Sequence, residues 1–166
     1  MKYLALITIS LLLSTLSFSQ CEEAMKQGKN EFNKGNYEAS IVAFTRCIEA
    51  DPENQNARLQ RAMAFNITKK YKEAVEDYTL VLEKHPENAN IRNSRGSAYL
   101  KLKRYDEALA DYNEVLNIDP KNQEAYNNRG WCKKYLGDQK GACDDWKKSK
   151  KLGNSEAKIF LSNQDC

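Results

Sequence analysis

Apolar and aromatic residues recur along this chain at helical spacing. Tyr105, Ala108, Leu109, Tyr112, Val115 and Leu116 trace one face of a helix, with polar and acidic residues between them. The same arrangement returns every 34 residues. Tyr37, Tyr71 and Tyr105 form one series, and Ser40, Ala74, Ala108 and Ala142 a second. Phe44, Tyr78, Tyr112 and Trp146 form a third, and Gly28, Ala62, Gly96 and Gly130 a fourth. The three prolines, Pro52, Pro86 and Pro120, keep the same step in the loops Asp51-Pro52-Glu53-Asn54, His85-Pro86-Glu87-Asn88 and Asp119-Pro120-Lys121-Asn122.

Each unit reads as two helices. A turn marked by Gly35-Asn36 in the first unit and Gly137-Asp138 in the last separates them. Proline then stops the second helix, because it lacks an N–H and clashes with the preceding turn. A period of this length predicts an all-α solenoid, since one helix pair cannot hide its own apolar face and must stack on its neighbours. Four units are expected, at 21–54, 55–88, 89–122 and 123–156. The tail over 155–166 carries Ala157, Phe160 and Leu161 on one face and is expected to be a capping helix. The small residues of the Gly28 and Ser40 series predict close approach of the two backbones within a pair.

Arginine and aspartate also keep step. Arg61, Arg95 and Arg129 on the first helices match Asp77, Asp111 and Asp145 on the second, while the first unit has Gln27 and Ala43 instead. The two types appear and vanish together, which predicts an ion pair inside each unit. Such a pair, partly buried, favours register more surely than stability.

The third unit has Gly96, Tyr99, Ala108, Tyr112 and Pro120; the fourth has Tyr126, Gly130, Ala142 and Trp146. In these residues the chain resembles the tetratricopeptide-repeat family, in its exported bacterial type. It departs from the family where arginine replaces the usual leucine, and where Leu152-Gly153-Asn154 stands in place of the last proline. The resemblance implies a right-handed superhelix of four helix-turn-helix units plus the cap. It also implies a non-enzymatic scaffold that holds a protein or peptide in a concave groove lined by the first helices. Carried onto this sequence, the groove comprises Met25, Lys29, Phe32 and Asn33, then Asn56, Leu59, Gln60, Met63 and Ile67. It continues through Asn90, Asn93, Ser94, Ser97 and Lys101 to Asn127, Asn128, Trp131, Lys134 and Tyr135. Asparagine amides both donate and accept, so a row of them suits an extended peptide backbone. Phe32, Met63, Trp131 and Tyr135 suit apolar side chains. The clamp by which some members hold a C-terminal carboxylate is not formed, because its places hold Met25, Lys29, Gln60, Asn90 and Ser94. The alternative role is a structural one, with the chain self-assembling or stabilising a cell-envelope complex.

Helix geometry allows Cys143 to meet either Cys132 or Cys166, and Cys21 to meet Cys47; five unbridged thiols are the remaining alternative. The Gly141-Ala142-Cys143-Asp144 stretch with Cys166 resembles the ending of exported bacterial members. This implies a Cys143–Cys166 bridge that pins the cap and leaves Cys132 free.

Residues 1–19 have the basic start, apolar run and small residues of a signal peptide. The run is far below the ~20 residues that span a bilayer. A lipidated Cys21 would want a small residue before it, and Gln20 is not one. The expected mature chain, 20–166, is therefore periplasmic or extracellular, with no stable membrane span. The formal charge is only +3, and no basic stripe suggests nucleic acid. His85 is the single histidine, no Cys-x-x-Cys pair exists, and no glycine-rich phosphate loop is present, so neither metal nor cofactor nor catalysis is expected.

Overall fold

The computed structural model describes the backbone of residues 2–163 and of Cys166, and the side chains of 17–161 and of Cys166. Among these residues all regular structure is helical: α1 (Lys2–Asn33), α2 (Tyr37–Ala50), α3 (Gln55–Ile67), α4 (Tyr71–Lys84), α5 (Ala89–Lys101), α6 (Tyr105–Ile118), α7 (Gln123–Tyr135), α8 (Gln139–Lys151) and α9 (Ser155–Asn163). The expected leader falls on α1, for which the side chains of 1–16 lie outside the described residues. Positions 164 and 165 of the expected cap lie outside them as well. No helix among the described residues is long and apolar enough to cross a membrane.

The chain divides into two compact units, 1–77 and 78–166. In the first, α1 packs on α2 and α2 on α3, and α1 touches α3. In the second, α5 packs on α6, α6 on α7, α7 on α8 and α8 on α9, while α5 touches α7. Consecutive helices thus pair as helix-turn-helix units, as the period predicts.

One backbone device makes every turn within a pair. Gly35, Lys69, Lys103 and Gly137 occupy the same register position, all with left-handed φ of 81°, 63°, 60° and 89°. The next residue's N–H then reaches back over the helix end: Asn36 to the Glu31 carbonyl at 2.9 Å, Lys70 to Phe65 at 2.8 Å, Arg104 to Tyr99 at 2.9 Å and Asp138 to Lys133 at 2.8 Å. This satisfies carbonyls that the helix end leaves unpaired. Glycine takes that conformation freely, whereas the two lysines take it at a cost.

Between pairs, the proline loops do two things. The N–H of Asn54, Asn88 and Asn122 closes a tight turn onto Asp51, His85 and Asp119, each at 3.1 Å. The same asparagine side chains cap the next helix, accepting from Ala57, Ile91 and Ala125 at 3.0, 3.1 and 2.9 Å. Where the last proline is missing, Gly153 at φ 108° ends α8 instead, and Asn154 caps α9.

At the glycines of the Gly28 series, what comes close is a ring of the second helix. A Cβ on Gly28 would overlap the Phe44 ring, one on Gly96 would lie 3.1 Å from Tyr112, and one on Gly130 would lie 2.6 Å from the Trp146 indole. The space is filled by the aromatic ring of the second helix, not by its backbone. Phe44, Tyr112 and Trp146 are fully buried there.

The Arg–Asp pairs form inside each hairpin. Arg61 holds Asp77 through two bonds of 2.7 and 2.8 Å, Arg95 holds Asp111 at 2.9 and 2.7 Å, and Arg129 holds Asp145 at 2.8 and 2.7 Å. The third guanidinium nitrogen reaches the preceding hairpin, donating to Thr45, Thr79 and Asn113 at 3.1, 3.1 and 2.9 Å. Each planar fork therefore ties three helices, a geometry lysine could not supply. A second cation supports each buried carboxylate: Arg58 on Asp77, Arg92 on Asp111 and Lys133 on Asp145. Hydrogen bonding to Asp111 and Asp145 raises the pKa of Arg95 and Arg129 above the ordinary arginine value.

Cys21 is bonded to Cys47, and Cys143 to Cys166. Cys132 is free and buried, and burial pushes its thiol up to about 12. The first bridge lies in a cluster with Ala24 and Ala57. Near the second, α9 covers Ala142 and Trp146 with Ala157, Phe160 and Leu161. The cap therefore does what its apolar face predicts.

Candidate functional site

The residues carried onto a groove lie on α1, α3, α5 and α7, and each unit presents its own part of them. In the first unit Lys29 and Asn56 are exposed, Phe32 and Gln60 are half-buried, and Met63 and Ile67 are 38% and 45% exposed. Phe32 is braced edge-on by Tyr37, with ring centres 5.2 Å apart. Met25 and Lys29 line a hollow of about 460 Å³ in this unit, together with Phe18, Cys21 and Asn54.

The second unit is more constructed. Between α5, α7 and the loop after α5 lies a cleft of about 410 Å³. Asn127, Asn128, Trp131 and Tyr135 line it from α7, and Ser97 and Lys101 from α5. Four further residues complete it: Leu100, also on α5, Lys103 in the left-handed turn, Tyr105 at the start of α6 and Glu156 in the first turn of α9. Tyr105 stacks on Tyr135 at 4.7 Å, and Tyr135 on Trp131 at 5.9 Å, making one continuous aromatic wall. Tyr135 is 55% exposed, so the wall has a free end.

Three residues do something other than expected of them. Trp131 is half-buried and packs edge-on against Trp146 at 5.2 Å and Phe160 at 4.8 Å, so it also anchors the cap. Asn127 is only 4% exposed rather than an open member of an amide row. Its backbone carbonyl accepts from the Trp146 indole at 3.1 Å, while its side-chain Oδ1 is buried with no hydrogen-bond partner. Asn93 likewise leaves its Oδ1 buried and unpaired. Asn90 is exposed and its carbonyl accepts from Ser94 within the same helix at 3.0 Å.

The sequence reading missed Tyr105, Lys103 and Glu156 because they lie outside first-helix positions. Tyr105 stood in the periodic tyrosine series, where it reads as packing. No signal pointed to Lys103, since its place in the cleft follows from the turn's backbone. His85 is exposed in its loop. Among the described residues no group of three or more His, Cys, Asp or Glu is placed to hold a metal.

Tetratricopeptide-repeat family models match residues 25–83 and 89–122, together more than half of the chain. No curated protein matches it in sequence. Among solved structures, MamA 41-end from Desulfovibrio magneticus RS-1 is similar at TM-score 0.76 and 20% identity, over 80% of this chain and 75% of that one. MamA of MSR-1 is similar at TM-score 0.76 and 24% identity, over 80% and 76%. The first TPR of Spaghetti (RPAP3), bound to HSP90 peptide SRMEEVD, is similar at TM-score 0.65 and 28% identity, over 72% and 94%. With the period, the turns, the proline loops and the ring-on-glycine contacts all in one register, the chain belongs to the tetratricopeptide-repeat family.

Proposed function

We propose that this chain is a non-enzymatic scaffold that holds a peptide or protein segment against the faces of its first helices. The observation that carries the reading is the cleft at α5 and α7: an aromatic wall and amide groups gathered at one place, with apolar surface left open to solvent. Repeats of this family commonly serve protein–protein interaction, and one similar structure holds a peptide. The groove is built from Lys29, Phe32, Asn56, Gln60 and Met63 in the first unit. In the second it is built from Asn90, Asn93, Asn127, Asn128, Trp131 and Tyr135. We further place the mature chain, 20–166, outside the cytoplasm. Two cysteine pairs at bonding distance support this, since disulfides persist in oxidising compartments.

The test is site-specific photo-crosslinking in the native host. A photoreactive residue at Lys29, Met63, Asn90 or Tyr135 captures a partner, and one at Val42 or Glu114 on the second helices does not. Capture only from Val42 and Glu114 would replace this reading with self-assembly or an envelope-stabilising role through the other face. Amino-terminal sequencing of the exported chain checks cleavage after Ser19.

A further inference from the structure

We infer that the outward face of α8 is a docking surface for an anionic phospholipid bilayer, on which the chain rests peripherally; this goes beyond the scaffold reading above and does not depend on it. At about 100° per residue, Lys140, Lys147 and Lys151 fall within about 40° of one another around α8, in a line roughly 16 Å long. Lys148 and Lys150 flank the line, and all five lysines are exposed. Among the described residues none of Lys140, Lys147, Lys150 and Lys151 is held in an ion pair, and the exposed acid on this side of the helix is Asp144. The side of α8 that meets α7 lies opposite. There Arg129 grips Asp145, the Trp146 indole donates to the Asn127 carbonyl, and Ser149 donates to the Gln123 carbonyl at 2.7 Å.

The repeat register sets this face apart from the outer faces of the other second helices. One step of 34 residues back, α6 carries Asp106, Asn113 and Asn117 at the three places of the line. Two steps back α4 has Lys72, Thr79 and Glu83, and three steps back α2 has Glu38, Thr45 and Glu49. Of the four, α8 alone has lysine at all three. The whole-chain charge of +3 therefore conceals a local basic stripe. Lys147 and Lys151 stand one turn apart and repel each other, a cost that a surface of opposite charge removes.

Residue type and shape select the bilayer as that surface. Where this chain grips a single carboxylate it uses the planar arginine fork, as on Asp77, Asp111 and Asp145. The stripe on α8 has no arginine. Lysine is a strongly hydrated point charge on a flexible stem, which suits a diffuse field of phosphates rather than one fixed acid. A straight, exposed line also meets a plane along its whole length, so every lysine comes within the ~10 Å over which charge is felt at 0.1 M salt. Lysine clusters of about this size on a helix hold proteins at anionic membranes. Docked in this way, the membrane lies on the side of α8 remote from α7, which leaves the α7 residues open to a guest.

The experiment sediments the full oxidised chain with vesicles of phosphatidylcholine alone, or of phosphatidylcholine and phosphatidylglycerol in equal parts. Binding to the first measures any apolar contribution, that of residues 1–19 included. The chain is expected to bind the anionic vesicles more tightly, and to lose that excess when salt is raised. Lys140→Gln with Lys147→Gln and Lys151→Gln should weaken binding to the anionic vesicles by roughly fivefold per lysine, or about a hundredfold for the three. The melting temperature should stay unchanged, since all three positions are exposed. Lys26→Gln with Lys72→Gln and Lys121→Gln removes the same charge from other exposed places and should leave most of the binding. Equal loss in the two triple variants would show that net charge, not this face, governs binding, and would overturn the assignment. So would equal binding to the two kinds of vesicle. In the host, a photoreactive residue at Lys147 should be crosslinked to lipid; capture of protein alone would replace the bilayer with an acidic protein partner. None of these results bears on capture from Lys29, Met63, Asn90 or Tyr135, by which the scaffold reading stands or falls.

Discussion

Hairpins α1–α2 and α5–α6 share a glycine with an aromatic ring laid over it, yet they hold register by different chemistry. In α1–α2 the tie is the Cys21–Cys47 bond; Ala43 stands where the buried aspartate would be, and Gln27 meets only the exposed Arg46 at 3.2 Å. In α5–α6 there is no cysteine, and Arg95 grips Asp111 while also reaching Thr79 on α4. The covalent tie joins two helices and is lost to a reductant. The ionic tie joins three, is indifferent to reductant, and carries the penalty of a carboxylate that water cannot reach. The pattern shows one architectural need, fixed register between short helices, met by whichever chemistry the position carries.

The largest expected effect comes from Asp111→Ala. It leaves Arg95 and Arg92 facing an apolar gap, and urea denaturation is expected to show a loss of about 3–5 kcal/mol, the range for breaking one side of a buried pair. A loss below about 1 kcal/mol would mean that solvent already screens the pair. Next comes Cys21→Ala with Cys47→Ala, expected to cost about 2–4 kcal/mol. Reductant added to the parent chain should lower stability as well, and Asp111→Ala should lose about the same increment with or without that first bridge, because the two ties belong to separate compact units and share no partner.

Gly28→Ala and Gly96→Ala then separate the two hairpins by packing. The added methyl overlaps the Phe44 ring in the first but sits 3.1 Å from Tyr112 in the second. We expect about 1–3 kcal/mol lost at Gly28. At Gly96 the effect should lie near zero, since about 1 kcal/mol of helix propensity offsets a mild contact. Equal losses would show that the tyrosine is as immovable as the phenylalanine. The smallest effect is a gain: Lys103→Gly relieves the left-handed residue before α6 and should add up to about 1 kcal/mol by thermal melting. The same change at Gly35 has no counterpart, because that turn already carries glycine.

Most of the architecture was legible in the residues. The 34-residue step located the helix pairs and the loops, the shared face of Ala157, Phe160 and Leu161 located the cap, and the co-occurrence of Arg95 with Asp111 and Arg129 with Asp145 located the buried pairs. The bridges were legible only in part: spacing left Cys143 two partners, and the family resemblance pointed to Cys166. The candidate site was harder to read. Periodicity names its first-helix members, but not the burial of Asn127 or the place of Lys103, Tyr105 and Glu156 in the cleft.

That division has a physical cause. Helix, turn and cap depend on residues within a few positions of one another, so periodicity and residue type determine them: apolar faces, prolines that end helices, and asparagines that start the next one. Which ring fills the space over a glycine, which oxygen is left without a donor, and which loop lysine closes a cleft depend on side chains brought together from three helices. Only the packed tertiary structure decided those, because the cost of a buried unpaired atom is set by neighbours that the linear order does not place beside it.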